Sequence, residues 1–154
     1  MDVKTTFLHC SLDEELYMLQ PEGFPNPRKV HLVCKLRCNL YGLKQAPYLW
    51  YKKINSFMLS YGFTRNKADP CFYMKKENRG NPIILVLYVD DMLIGRKHKT
   101  TLKELKLKLN SSFSMKDLIK AENILGTRIG RDRQKKLLFL SQESTLRRYL
   151  TDFR

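Results

Sequence analysis

Apolar residues recur along this 154-residue chain with two periods, near 2 and near 3.6, and these divide it into strand and helix segments. Residues 83–89 are seven consecutive apolar positions that run into Asp90-Asp91, and Met92, Leu93 and Ile94 lead away. Two apolar runs separated by a pair of turn-forming residues predict a buried β-hairpin with both aspartates at its tip. Upstream, residues 15–19 and the alternating residues 30–36 predict a second hairpin around the Pro- and Gly-rich loop 21–27.

Helical spacing takes over between and after the strands. Trp50, Ile54, Phe57, Met58 and Tyr61 fall on one face, Pro47 suits the first helical position, and Gly62 sits just past the predicted end. Residues 71–75 form a strand after an Asp69-Pro70 turn, and 77–82 a polar loop. Leu102, Leu105, Leu109 and Phe113 line a second helix, opened by a Thr101–Glu104 capping box, with Lys103, Lys106 and Lys108 outside. Residues 122–131 and 137–140 predict a further hairpin turned at Arg133-Gln134-Lys135-Lys136, and Ser141 caps a last helix. No internal repeat or low-complexity tract interrupts this order.

Composition narrows the picture. A hydrophobic content of 43%, with eight Phe and eight Tyr, is that of a chain with a packed core. No apolar run approaches the ~18 residues of a membrane span, and the first ten residues lack a signal pattern, so an intracellular location is expected. Cys10, Cys34, Cys38 and Cys71 are then expected to stay reduced, with Cys34 in the core. His31, Cys34 and Cys38 have no second ligand pair at zinc-finger spacing. The net charge of +14 is uneven: residues 96–154 hold 16 basic and 6 acidic side chains, hence +10 of it. Such a chain suits a polyanion, either nucleic acid or an anionic membrane surface.

An Asp-Asp pair between strands is ordinarily a solvated turn. Neighbouring strand residues point to opposite faces, so two carboxylates can share a ligand only where the chain turns. Held together in a partly dry site they repel, and a cation relieves them; all-oxygen ligands suit Mg²⁺ or Mn²⁺. Ahead of the first helix, Gly42, Lys44 and Gln45 stand at a helix entrance, where backbone donors favour anions.

Taken in order, a set of words resembles the reverse transcriptase domain of Ty1/copia-type LTR retrotransposons. They are Met1-Asp2-Val3-Lys4 with Phe7-Leu8, Tyr17-Met18 with Gln20-Pro21-Glu22-Gly23-Phe24, Val33-Cys34-Lys35-Leu36, and Leu40-Tyr41-Gly42-Leu43-Lys44-Gln45-Ala46-Pro47 with Trp50-Tyr51. Ala68-Asp69-Pro70-Cys71, Tyr88-Val89-Asp90-Asp91-Met92-Leu93-Ile94, Phe113 with Met115-Lys116-Asp117-Leu118, Ile124-Leu125-Gly126 and Leu140-Ser141-Gln142 continue the series.

The resemblance implies an α+β fold, a polymerase palm-like antiparallel sheet backed by helices and truncated at both ends. Part of the fingers hairpin would occupy about 9–45, and the start of the primer grip and thumb about 122–154. It implies RNA-directed DNA polymerase activity, with two Mg²⁺ or Mn²⁺ ions held by catalytic Asp2, Asp90 and Asp91. Phe7 would crowd the sugar 2′ position, Tyr41, Gly42 and Lys44 would line the nucleotide, and Lys116 would lie near the triphosphate. Gln45, Tyr88, the Leu125-Gly126 primer grip and Arg131, Arg133, Lys135 and Lys136 would contact nucleic acid.

The implied partners are a template with its primer, deoxynucleoside triphosphates, and the fingers, thumb and ribonuclease H segments of a parent polyprotein, with no membrane. The chain opens abruptly inside an element, so truncation is expected, and without fingers and thumb no primer extension. The alternative function is that of an inactive relic, a basic fragment that holds nucleic acid. Three positions depart from the family: Cys10 and Ile119 stand where it usually has Gly, and Tyr48 where it has a basic residue.

Overall fold

In the computed structural model, which describes residues 1–76, 81–96 and 100–152, the apolar run ahead of Asp90 is a strand with alternate side chains buried. The elements in order are β1 (Asp2–Val3), a 3₁₀ turn (Thr6–His9), β2 (Tyr17–Met18), β3 (Cys34–Lys35) and α1 (Ala46–Ser60). There follow β4 (Thr64–Arg65), β5 (Phe72–Lys75), β6 (Ile83–Tyr88), β7 (Asp91–Gly95), α2 (Thr100–Ser112) and β8 (Met115–Lys116). Last come β9 (Asn123–Ile124), β10 (Thr127–Asp132), β11 (Leu137–Ser141) and α3 (Glu143–Asp152). Two units result, Asp2–Lys116 and Asp117–Arg154.

The first unit is built on a six-stranded sheet in the order β4-β5-β6-β7-β1-β8, antiparallel throughout. One face is apolar because the strand period is 2: Ile83, Leu85 and Leu87 of β6, Met92 of β7, Val3 of β1 and Met115 of β8 are all buried. Helix α1 buries Ala46, Leu49, Trp50, Ile54 and Met58, and α2 buries Leu105 and Leu109. Phe113 joins the two helices, its ring edge-on to Trp50 at 5.4 Å and to Phe57 at 5.1 Å. Each fully buried aliphatic chain here is worth about 1.5–3 kcal/mol, so truncating Leu85 to Ala costs about 2–5 kcal/mol. Pro47 lies in the first turn of α1, and Gly62 follows its end at φ 86°.

Three local details differ from the expectation. The tip of the central hairpin is Val89-Asp90, because Asp91 already pairs with Tyr88 in the ladder. Cys34 is only half-buried in its two-residue strand, whereas Cys10, packed after the 3₁₀ turn, is the buried thiol and is pushed up by that burial. The upstream hairpin is shorter than predicted, with β2 and β3 contributing two residues each. The side chain of Thr101, and with it the capping box, lies outside the described residues, as do residues 77–80 of the predicted polar loop and residues 97–99.

The second unit is a three-stranded antiparallel sheet, β11-β10-β9, followed by α3. Residues 122–131 are not one strand: the chain reverses at Leu125-Gly126, where both φ angles are positive (49° and 72°), as a type I′ hairpin turn requires. Glycine is needed at 126 twice over, since a Cβ there would also stand 2.9 Å from Thr145 Oγ1. The next turn falls where predicted, with Asp132 Oδ1 accepting the amides of Gln134 and Lys135 at 3.0 Å each. Ser141 Oγ accepts the Glu143 amide at 3.3 Å as α3 begins.

Candidate active site

Tyr88, Asp91, Asp2 and Lys116 are successive register partners across β6, β7, β1 and β8, so they form one row on the sheet. Directly opposed residues of antiparallel strands project to the same face, with Cα atoms about 4.5–5.5 Å apart. The positions flanking this row, Leu87 with Met92 on one side and Val3 with Met115 on the other, are all buried, which fixes the polar row on the opposite face. Two carboxylates, a phenol and an ammonium are thereby lined up by register alone.

Asp90 reaches this row from the turn. Its carbonyl accepts the Val3 amide at 3.0 Å, tying the hairpin tip to β1. Val89 takes a positive φ of 52°, unusual for a β-branched residue, and its carbonyl accepts the indole N–H of Trp50 at 2.7 Å.

The carboxylates sense one another. Asp91 is held above the ordinary carboxylate range first by burial, then by the charges of Asp90 and Asp2. Among the described residues no group of three His, Cys, Asp or Glu side chains converges into a ready ligand set. The donor chemistry nevertheless fits a hard divalent ion: exclusively oxygen ligands, like charges crowded together, and one open side for water or phosphate oxygens.

Phe7 lies in the 3₁₀ turn five residues after Asp2 and is half-buried; Thr5 before it is left-handed at φ 50°. Its ring packs on that of Tyr41 at 4.8 Å with a 57° tilt, which brings together two residues distant in sequence. Gly42 adopts φ 93° in the turn before α1, Lys44 is exposed, and Gln45 at the helix N-cap donates to Glu14 at 3.0 Å. In the second unit Leu125-Gly126 is the tight turn, and Arg131, Arg133, Lys135 and Lys136 are exposed at the far end of the β10–β11 hairpin. Sequence reasoning placed Trp50 in the core and missed its polar contact. The signal available was that a buried indole N–H normally finds an acceptor.

The model of the family described as reverse transcriptase (RNA-dependent DNA polymerase) matches residues 1–154. The chain belongs to the reverse transcriptase family. Among relatives of this family member, the retrovirus-related Pol polyprotein from transposon TNT 1-94 of Nicotiana tabacum is 53% identical over 99% of this chain and 12% of its own length. A putative transposon Ty5-1 protein of Saccharomyces cerevisiae is 40% identical over 84% of this chain and 42% of its own. The Pol polyprotein from transposon RE1 of Arabidopsis thaliana is 39% identical over 99% of this chain and 10% of its own. The chain thus spans less than half the length of each of these copia-type relatives. No solved structure matches it. Its fold is mixed, with antiparallel sheets and three helices among the described residues, none long and apolar enough to cross a membrane.

Proposed function

We propose that this chain carries the catalytic palm of an RNA-directed DNA polymerase that transfers nucleotides to a primer 3′-OH. The observation that carries the reading is the register row, which sets Asp2 opposite Asp91 with Asp90 at the adjoining turn, in a chain whose family synthesises DNA. Asp2, Asp90 and Asp91 would hold Mg²⁺ or Mn²⁺. When bound, two such ions supply charge neutralisation for the attacking and leaving oxygens of an in-line displacement.

The remaining roles belong to side chains. Lys116, beside Asp2 in the row, places a cation where a triphosphate would need one. Phe7, braced by Tyr41, is a wall against the sugar 2′ position, and Gly42, Lys44 and Gln45 line the nucleotide and template side. Tyr88, Leu125, Gly126 and the exposed cations Arg131, Arg133, Lys135 and Lys136 contact the template–primer. Fingers, thumb and ribonuclease H segments of a longer Pol polyprotein would complete the enzyme, within the cell.

Manganese titration followed by paramagnetic broadening tests the site. Broadening is expected around Asp2, Asp90 and Asp91 and should vanish in the Asp90→Asn, Asp91→Asn double variant. Broadening that survives both substitutions would sink the assignment. The surplus of +10 on residues 96–154 favours a second reading, a fragment that binds nucleic acid without polymerising. Salt-sensitive binding without any manganese site would select it.

A further inference from the structure

We infer that Trp50 is a positioning residue for the metal-binding carboxylates, because its indole N–H fixes the turn that presents Asp90. The inference rests on the proposed metal site and adds to it a residue in α1, outside the carboxylate row.

Two peptide groups flank the Asp90 Cα, and the carbonyl of each accepts a hydrogen bond. The Val89 carbonyl, in the peptide preceding Asp90, accepts from Trp50 Nε1 at 2.7 Å. The Asp90 carbonyl, in the peptide following it, accepts from the Val3 amide at 3.0 Å. Fixing both planes fixes φ and ψ of Asp90 and therefore the direction of its Cβ. The side chain can then seek a cation with little backbone freedom left to lose.

The turn needs such a hold. Val89 at φ 52° is strained, because a β-branched side chain rarely adopts the left-handed region. Packing does not supply the restraint: Val89 is 44% exposed. Its inner side borders an apolar cavity of about 130 Å³ whose lining includes Trp50, Tyr51, Ile54, Tyr73 and Leu87. Trp50 itself is immobilised, being 2% exposed with Phe113 edge-on at 5.4 Å. A rigid donor thus meets a loosely packed, strained acceptor, so the donor sets the geometry. The competing explanation is that the bond merely satisfies a buried indole; it predicts no effect on metal affinity once folding is accounted for.

The test is Mg²⁺ and Mn²⁺ binding by the whole chain, read from amide shifts and broadening at Asp90 and Asp91 in folded protein. Trp50→Phe keeps an aromatic ring and removes the donor, and is expected to weaken binding about tenfold, in the range found when partners of metal ligands are removed. Adding Val89→Gly should restore most of that affinity, since glycine adopts the positive φ without strain. Affinity unchanged by Trp50→Phe, or lost and not recovered with Gly at 89, overturns the inference. Should Trp50→Phe fail to fold, wild type decides, because one Trp gives one indole N–H resonance. Mg²⁺ must shift that resonance with the same midpoint as the Asp90 amide, and a silent indole overturns the inference. Failure of the underlying reading looks different: wild type then binds no metal, or binds it despite Asp90→Asn with Asp91→Asn, and the inference falls with the site.

Discussion

Asp2 and Asp91 stand directly opposite one another on neighbouring antiparallel strands, an arrangement that ladders normally avoid because like charges there destabilise the pair. The cost is accepted on the exposed face of a sheet whose other face is well packed. A site that stores repulsion in its empty form gains most from a cation.

That repulsion has a pH signature. Burial, then Asp90 and Asp2, raise the Asp91 carboxyl, so its acid form favours the folded state. Its contribution is fully present below the ordinary carboxylate range and is lost as pH rises through the raised value. Asp91→Asn is therefore expected to be more stable than wild type at neutral pH and nearly equal to it near pH 3. Thermal melts at the two pH values check this, and a variant less stable at neutral pH would contradict it.

Phe7 is braced by Tyr41, so the pair acts as one wall. In a full-length Pol polymerase of this type, Phe7→Val is expected to raise ribonucleotide over deoxynucleotide incorporation by about two orders of magnitude, since a packed ring yields only at a cost of several kcal/mol. Tyr41→Ala, which removes the brace and leaves the ring, should do the same more weakly. Equal losses with both substrates would mean that Phe7 is a packing residue.

Nucleic-acid binding should be governed by phosphates. Reversing the charge at Arg131, Arg133, Lys135 and Lys136, all exposed, is expected to weaken every sequence alike and to reduce the salt slope by about 3–4 if all four contact phosphates. Fluorescence anisotropy between about 50 and 200 mM salt measures both effects. An unchanged slope would move the interface elsewhere.

Ile119 occupies the left-handed region at φ 60° with its side chain 90% exposed, and Asp117 Oδ1 accepts its amide at 3.0 Å. A β-branched residue there is strained by about 1–2 kcal/mol, while glycine costs about 0.5–1 kcal/mol in chain entropy. Ile119→Gly is expected to stabilise the protein by about 0.5–1 kcal/mol net, as read from urea melts. A loss of stability would show that the isoleucine side chain makes contacts that matter.

Periodic segments were legible in the sequence, and short-range geometry was not. The face of α1 carrying Trp50, Ile54 and Met58, the β6–β7 hairpin and the Leu105–Leu109 face all follow from spacing that burial enforces. The turn at Val89-Asp90 was displaced by one residue because nothing in the local residues announces a valine at positive φ; the indole donor that supports it lies 39 positions away. The break at Leu125-Gly126 was hidden because a leucine rather than an asparagine precedes the glycine. Pairing of Asp2 with Asp91 and Lys116 is a long-range register and is invisible to periodicity; family resemblance grouped Asp2 with Asp90 and Asp91, but the ladder supplied the geometry.

The position of β1 in the strand order has a temporal side. This two-residue strand precedes all the other described elements, yet its two neighbours are β7 and β8, so it cannot be seated until the ribosome has released nearly everything from it up to Lys116. Closing so long a loop around so short a strand is entropically slow compared with zipping the β6–β7 hairpin. We expect the Val3 and Lys4 amides, bonded to Asp90 and Ser114, to gain protection in pulsed hydrogen exchange after the hairpin amides do; simultaneous protection would refute this order. A nascent chain would then hold Asp90 and Asp91 in place well before Asp2 joins them, and the carboxylate row would come into being as one of the last acts of assembly.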